Sequence, residues 1–120
     1  MQKKELRFER EHVGEAVVVR LAGPITLEDK GACVMALKGH LRSVIEEEPP
    51  WVIVDLSEVT DISSAGISAL VNGLKMAKEH AIRFSITGVN EMIRGILEVS
   101  RIDTVLEVLE SLDDVDLTQA

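Results

Sequence analysis

Between Val52 and Leu74 the apolar residues change their period, from an unbroken run to one residue in every three or four, and few folds accommodate that change. Val52, Ile53 and Val54 are a β-branched run of the kind found in a strand buried on both faces. Ile67, Leu70, Val71 and Leu74 then follow one face of a helix. The hand-over falls between Ile62 and Gly66. With Ser63 as N-cap, its hydroxyl accepts from the backbone N–H of Ala65 or Gly66, and Ile62 takes the preceding position to staple onto Ile67. Ser64 is left at the first helical position with its hydroxyl outside the cap.

The same alternation recurs along the chain. Residues 6–9 and 16–22 read as two antiparallel strands with a turn near His12 and Gly14, and Gly23-Pro24 is expected to stop the second. Leu27, Val34, Leu37, Leu41, Val44 and Ile45 put a helix over residues 26–48, with Thr26 and Asp29 as a loose capping box. Gly31 and Gly39 weaken that helix by about 1 kcal/mol each relative to alanine, so a bend or break is expected there. Pro49-Pro50 ends it. A strand at 51–56, a loop of several residues, the serine helix to His80, a strand at 82–87 and a helix at 90–99 complete the alternation. The fold class is therefore α/β: a mixed, mostly parallel sheet with an antiparallel N-terminal strand pair and packed helices. In such open sheets exposed chemistry gathers at the carboxyl ends of the strands, where Ser63 and Ser64 fall. From about residue 113 the chain turns acidic, and Ser111 with Asp114 reads either as the cap of a last helical turn or as part of a solvated, disordered tail.

Composition narrows the function. A chain of 120 residues with 46% apolar content suits one domain, 1–120, with its own core. With 2% aromatic residues and a net charge of −8, it offers neither stacking platforms nor a basic patch, which excludes nucleic acid as a partner. The lone Cys33 permits no internal disulfide and reads as a small buried residue of the first helix. No apolar run reaches the length of a membrane span or a signal peptide, so a cytoplasmic location without direct membrane insertion is expected.

Catalytic readings lack parts. There is no Gly-x-Ser-x-Gly elbow, no Gly-x-x-x-x-Gly-Lys loop and no metal-ligand spacing, and His12, His40 and His80 stand apart. No catalytic residue, cofactor or metal is expected, and Asp55 and Asp61 read as structural carboxylates. Asn72, Lys75, Met76 and Glu79 fall on the outer face of the serine helix, where they extend any surface that begins at Ser64.

The ordered set of motifs resembles the STAS family, the sulfate transporter and anti-sigma factor antagonist domain. The likeness rests on Asp55-Leu56-Ser57-Glu58-Val59, on Ser63-Ser64-Ala65-Gly66-Ile67, and on Val17-Val18-Val19-Arg20-Leu21-Ala22-Gly23 as an early strand with a glycine turn. It extends to residues 84–97 as a strand and helix and to 102–106 as a last strand. The resemblance implies an anti-sigma factor antagonist. Its partner is an anti-sigma factor, often a serine kinase, which phosphorylates the position of Ser64, with a phosphatase to reverse it. Ser63 stands where many members carry aspartate and is the alternative phosphorylated residue. Pro24 and Thr26 lie in a loop where many members read Gly-Glu-Leu-Asp and which contributes to partner contact. The implied partner surface is Ser63, Ser64, Ala65, Gly66, Ser68, Asn72 and Met76 with Pro24 and Thr26. Two other readings stay open: a constitutive scaffold domain of a larger signalling or transport complex, and a small-molecule or nucleotide regulator using a pocket near the strand ends.

Overall fold

Five strands lie side by side in the order in which the chain makes them, β1 to β5. The computed structural model describes residues 6–26 and 31–110. β1 (Arg7–Val13) turns back through Gly14 into β2 (Ala16–Ile25), an antiparallel pair with Val13 opposite Ala16. α1 (Ala32–Glu46), β3 (Trp51–Ile62), α2 (Ser64–Glu79), β4 (Arg83–Thr87), α3 (Glu91–Val99), a 3-10 turn (Ile102–Thr104) and β5 (Glu107–Leu109) follow, and from β2 onward all pairings are parallel. Parallel crossovers are right-handed, so a sheet whose spatial order equals its chain order carries its crossover helices on one face.

The packing agrees. Val17, Val19, Val52, Val54, Phe84 and Ile86 belong to one buried cluster with Leu37, Leu41, Ile67, Leu70, Ile93 and Leu97 from the three helices. The alternate strand residues Ala16, Val18, Trp51 and Ile53 form a second buried cluster on the reverse face. The unbroken apolar run of β3 is explained by this double burial. Trp51 is anchored on that reverse side: its indole N–H donates to Ser85 Oγ at 2.9 Å, and the Arg83 guanidinium lies 3.8 Å from the ring centroid. Arg83 in turn holds Glu107 of β5 through two hydrogen bonds of 2.9 and 2.7 Å.

Several boundaries differ from the sequence expectation. β2 does not stop at Gly23-Pro24 but continues to Ile25. Among the described residues β1 pairs as far as Ala22, and Pro24 keeps its place in β2 by pairing in register with Asp61 of β3. β3 runs to Ile62, and the loop expected before the serines does not exist. α1 begins at Ala32, because Gly31 takes φ 84°, a left-handed conformation that suits glycine before a helix start rather than within one. Leu27 and Asp29, with the capping box proposed there, lie outside the described residues, as does the acidic stretch from 113. Gly39 does not break α1, which is continuous from Ala32 to Glu46. The last strand is Glu107–Leu109, not 102–106. Thr104 Oγ1 donates to the Arg101 carbonyl at 2.7 Å, a local bond that favours a turn over a strand.

Candidate functional site

Ser63 and Ser64 owe their position to irregularities in β3. Arg20 pairs with Asp55 but Ala22 with Glu58, and Gly23 pairs with Val59 but Pro24 with Asp61, so β3 twice uses one more residue than β2. The first irregularity is held by Asp55. Its Oδ1 accepts from the Ser57 N–H at 2.9 Å, and its Oδ2 lies 3.6 Å from Arg20 Nε. The chain leaving β4 passes directly over this spot at Gly88, which has φ +73°; a Cβ there would lie 2.5 Å from Ser57 N and 2.7 Å from Asp55 Oδ1. Only glycine fits.

The end of β3 is pinned to the end of β2. Ser63 N–H donates to the Ile25 carbonyl at 2.9 Å, and Ser63 Oγ accepts from Gly66 N–H at 3.3 Å as the N-cap of α2. Ile62 and Ile67, on either side of the cap, are both buried in the main core. Gly66 is pressed against the same corner: a Cβ would come within 2.8 Å of Ile25 Cγ2, the Ile25 carbonyl oxygen and Ile62 Cγ1. Ser64 then opens the helix, exposed to solvent. No acidic side chain stands in the first turn of α2, so the positive end of its dipole is not offset from within the helix.

The remaining predicted contact residues fall into two groups. Pro24 and Thr26, both half-buried, flank the Ile25 whose carbonyl holds Ser63, so the end of β2 and the serine corner are one place. Ser68 and Asn72 are exposed and follow Ser64 at steps of four, so they continue its side of the helix, while Met76, half-buried, packs against the core at its far end. Ala65 is half-buried and Gly66 buried. Gly66 therefore shapes the corner rather than offering a surface of its own. Lys75 and Glu79 are exposed, as their helical phase requires.

Sequence reasoning missed the carbonyl of Ile25 and the Asp55–Gly88 packing. Backbone groups carry no sequence signal; Gly88, directly after an apolar strand, was a signal that could have been read. The histidines occupy three unrelated places. His12 is exposed on β1, His80 is the C-cap of α2 with Nδ1 3.5 Å from Glu48 Oε1, and His40 stacks on Phe8 with centroids 4.6 Å apart. A groove of about 700 Å³ lies among Phe8, Arg20 and Glu58, and neither serine lines it. Among the described residues, no helix is long and apolar enough to cross a membrane.

A family model described as "Mlab, STAS domain" matches residues 8–110. Among solved structures, an anti-sigma factor antagonist from Mycobacterium paratuberculosis is similar at TM-score 0.78 and 20% identity, over 92% of this chain and 90% of that one. The Bacillus cell fate determinant SpoIIAA in its phosphorylated form gives TM-score 0.66 and 16% identity over 89% and 95%. A sulfate transporter family protein from Wolinella succinogenes gives 0.70 and 23% over 85% and 84%. At these identities the shared property is the fold.

Proposed function

The chain belongs to the STAS domain family, and from that premise we propose that it is an anti-sigma factor antagonist switched by phosphorylation of Ser64. The observation that carries the reading is the division of labour at the helix start: Ser63 caps α2, and Ser64 is left exposed. The fold does not depend on the Ser64 hydroxyl. A similar fold is known in a phosphorylated form, which supports a phosphate being compatible with this architecture. Residues 1–120 act as one such domain in this reading, in the cytoplasm where sigma factors work, as a binding protein with no catalysis of its own.

In the mechanism the unmodified chain binds an anti-sigma factor through the serine corner, the end of β2 and the outer side of α2, and so frees a sigma factor. The partner, itself a serine kinase, transfers the γ-phosphoryl group of ATP to Ser64 Oγ, releasing ADP and the hydroxyl proton. The new group carries about −1.5 to −2 charges. In the free chain it faces the unpaired amides and the dipole of α2, which tolerate it. In the complex it meets an apposed surface and adds desolvation and like-charge repulsion. A loss of about 3 kcal/mol weakens binding more than a hundredfold. A phosphatase restores the binding form.

Incubation with ATP and an anti-sigma kinase, one encoded beside this chain or candidate kinases if none is adjacent, followed by peptide mass spectrometry, tests the reading. Phosphate on Ser64 supports it, and phosphate on Ser63 moves the switch by one residue. An active, binding kinase that modifies neither serine sinks it. Ser64→Ala should keep binding and abolish switching, whereas Ser64→Asp should weaken binding; unchanged affinity in both contradicts the proposal. The similarity to a sulfate transporter family protein favours a second reading, a constitutive scaffold whose two serines only cap a helix. Binding indifferent to the state of Ser64 would select it.

A further inference from the structure

α3 has a face that the core does not use. Ile93 and Leu97 are buried, while Glu91, Met92, Gly95, Glu98 and Val99 recur at i, i+1, i+4, i+7 and i+8 and share the opposite side. Met92 is 47% exposed and Val99 87%, so two of the four large apolar side chains exposed among the described residues stand on this one helix. Gly95 lies between them in open space, where a Cβ would meet no atom within 4 Å. Glycine weakens a helix relative to alanine, and nothing within the described structure uses the room it leaves. Glu91 and Glu98 edge the same face, and neither carboxylate has an ion-pair or hydrogen-bond partner among the described residues, whereas neighbouring Arg94 is paired with Glu110.

The position of this face relative to Ser64 follows from topology. β3 and β4 are adjacent and parallel, so α2 and α3 both start at the carboxyl end of the sheet. Met92, in the first turn of α3, is therefore at the end that carries Ser64, and the stripe to Val99 runs about 10 Å away from it along the helix.

We propose that the outer face of α3 is a second contact surface for the protein that binds at Ser64, and that it receives a helix of that partner with an apolar ridge edged by Lys or Arg. The inference rests on the reading of Ser64 as the partner-binding corner. Gly95 lets the two helix backbones approach closely, and Met92 and Val99 fill against the ridge, the methionine adapting its shape to what it meets. Glu91 and Glu98, two helical turns apart, supply the complementary charge, which sets orientation and encounter rate more than affinity. The acidic edge thus specifies a basic helix rather than any apolar surface.

The test measures the affinity of a purified anti-sigma serine kinase, one encoded beside this chain or a candidate if none is adjacent, for the wild type and for Ser64→Asp, Gly95→Leu, the pair Met92→Ser with Val99→Ser, and the pair Glu91→Lys with Glu98→Lys. Each α3 variant should weaken binding at least about tenfold. The charge-reversed pair should also slow association and lose its salt dependence. Gly95→Leu should melt no lower than the wild type, because a Cβ there meets no atom within 4 Å and leucine favours a helix over glycine, and an unchanged melting temperature separates its loss of binding from unfolding. If Ser64→Asp weakens binding and the α3 variants stay within twofold of wild type, the α3 surface is wrong and the reading of Ser64 stands. If the α3 variants weaken binding and Ser64→Asp does not, the surface stands and the switch at Ser64 falls. A kinase whose binding none of these changes affects, or one that does not bind at all, removes both.

Discussion

α2 and α3 start in nearly the same way and present opposite electrostatics. Each follows a parallel strand, and in each the residue before the helix caps the third helical N–H: Ser63 Oγ accepts from Gly66 N–H at 3.3 Å, and Asn90 Oδ1 from Ile93 N–H at 2.8 Å. α3 opens on Glu91, a permanent charge at the positive end of its dipole, whereas the first turn of α2 contains no acid and opens on Ser64. The glycines differ in the same sense: Gly66 is wedged against Ile25 and Ile62, and Gly95 borders open space. A helix start with its charge built in is a fixed feature of the surface. One that is closely held and lacks the charge is where the proposed phosphorylation would add one.

The glycine contrast is the sharpest place to break this comparison. Gly66→Ala should destabilise the fold by about 3 kcal/mol in urea denaturation, because a backbone oxygen is among the atoms it meets at 2.8 Å. Gly95→Ala should stabilise by about 0.5–1 kcal/mol. Equal effects would mean that the corner at Ile25 is not rigid. Next in size are the caps. Ser63→Ala and Asn90→Ala should each cost about 1 kcal/mol, and similar values would show that capping, the feature the two helices share, is equivalent in both. A smaller effect separates the dipoles: Ser64→Asp should stabilise the free chain and Glu91→Gln destabilise it, each by about 0.5 kcal/mol in urea denaturation and less at high salt.

The smallest expected effect is on pH dependence, and it lies away from both helix starts. Burial first, then Arg10, lowers the His40 pKa, with Glu47 opposing. A histidine depressed in the fold stabilises above its ordinary value of about 6.5, and that stability is lost as pH falls below it. His40→Phe should flatten this step in a denaturation series. Hydrogen bonds from Arg83, aided by Ser85 against some burial, hold the Glu107 carboxyl below the usual carboxylate range. Its contribution is present above about pH 4.5 and disappears as pH falls through the lowered value. Glu107→Gln should remove that acid limb and leave the His40 step in place.

Sequence carried the architecture because local chemistry and burial agree in it. The run at Val52 to Val54 demanded a strand covered on both faces and has one. The phase of Ile67, Leu70 and Leu74 gave a helix with those residues inside and Ser64 at its exposed start. Where the reading failed, a partner strand outweighed a local signal. Gly23-Pro24 is a stop in isolation, yet β2 passes through it because β3 lies alongside. Four of residues 57–62 carry polar side chains that suggest a loop, yet the segment extends β3 because β2 pairs alongside it.

The local chemistry of the α2 corner was thus written in the chain: a capping serine, an exposed serine and a glycine two residues on, at the mouth of an apolar helix. Its rigidity was not. The carbonyl of Ile25 that fixes Ser63, and the clearances that make Gly66 and Gly88 obligatory, join residues from separate strands. Periodicity and capping act over a few neighbouring residues and can be read along a sequence. Backbone hydrogen bonds and steric contact between distant segments come into being only once the sheet has formed.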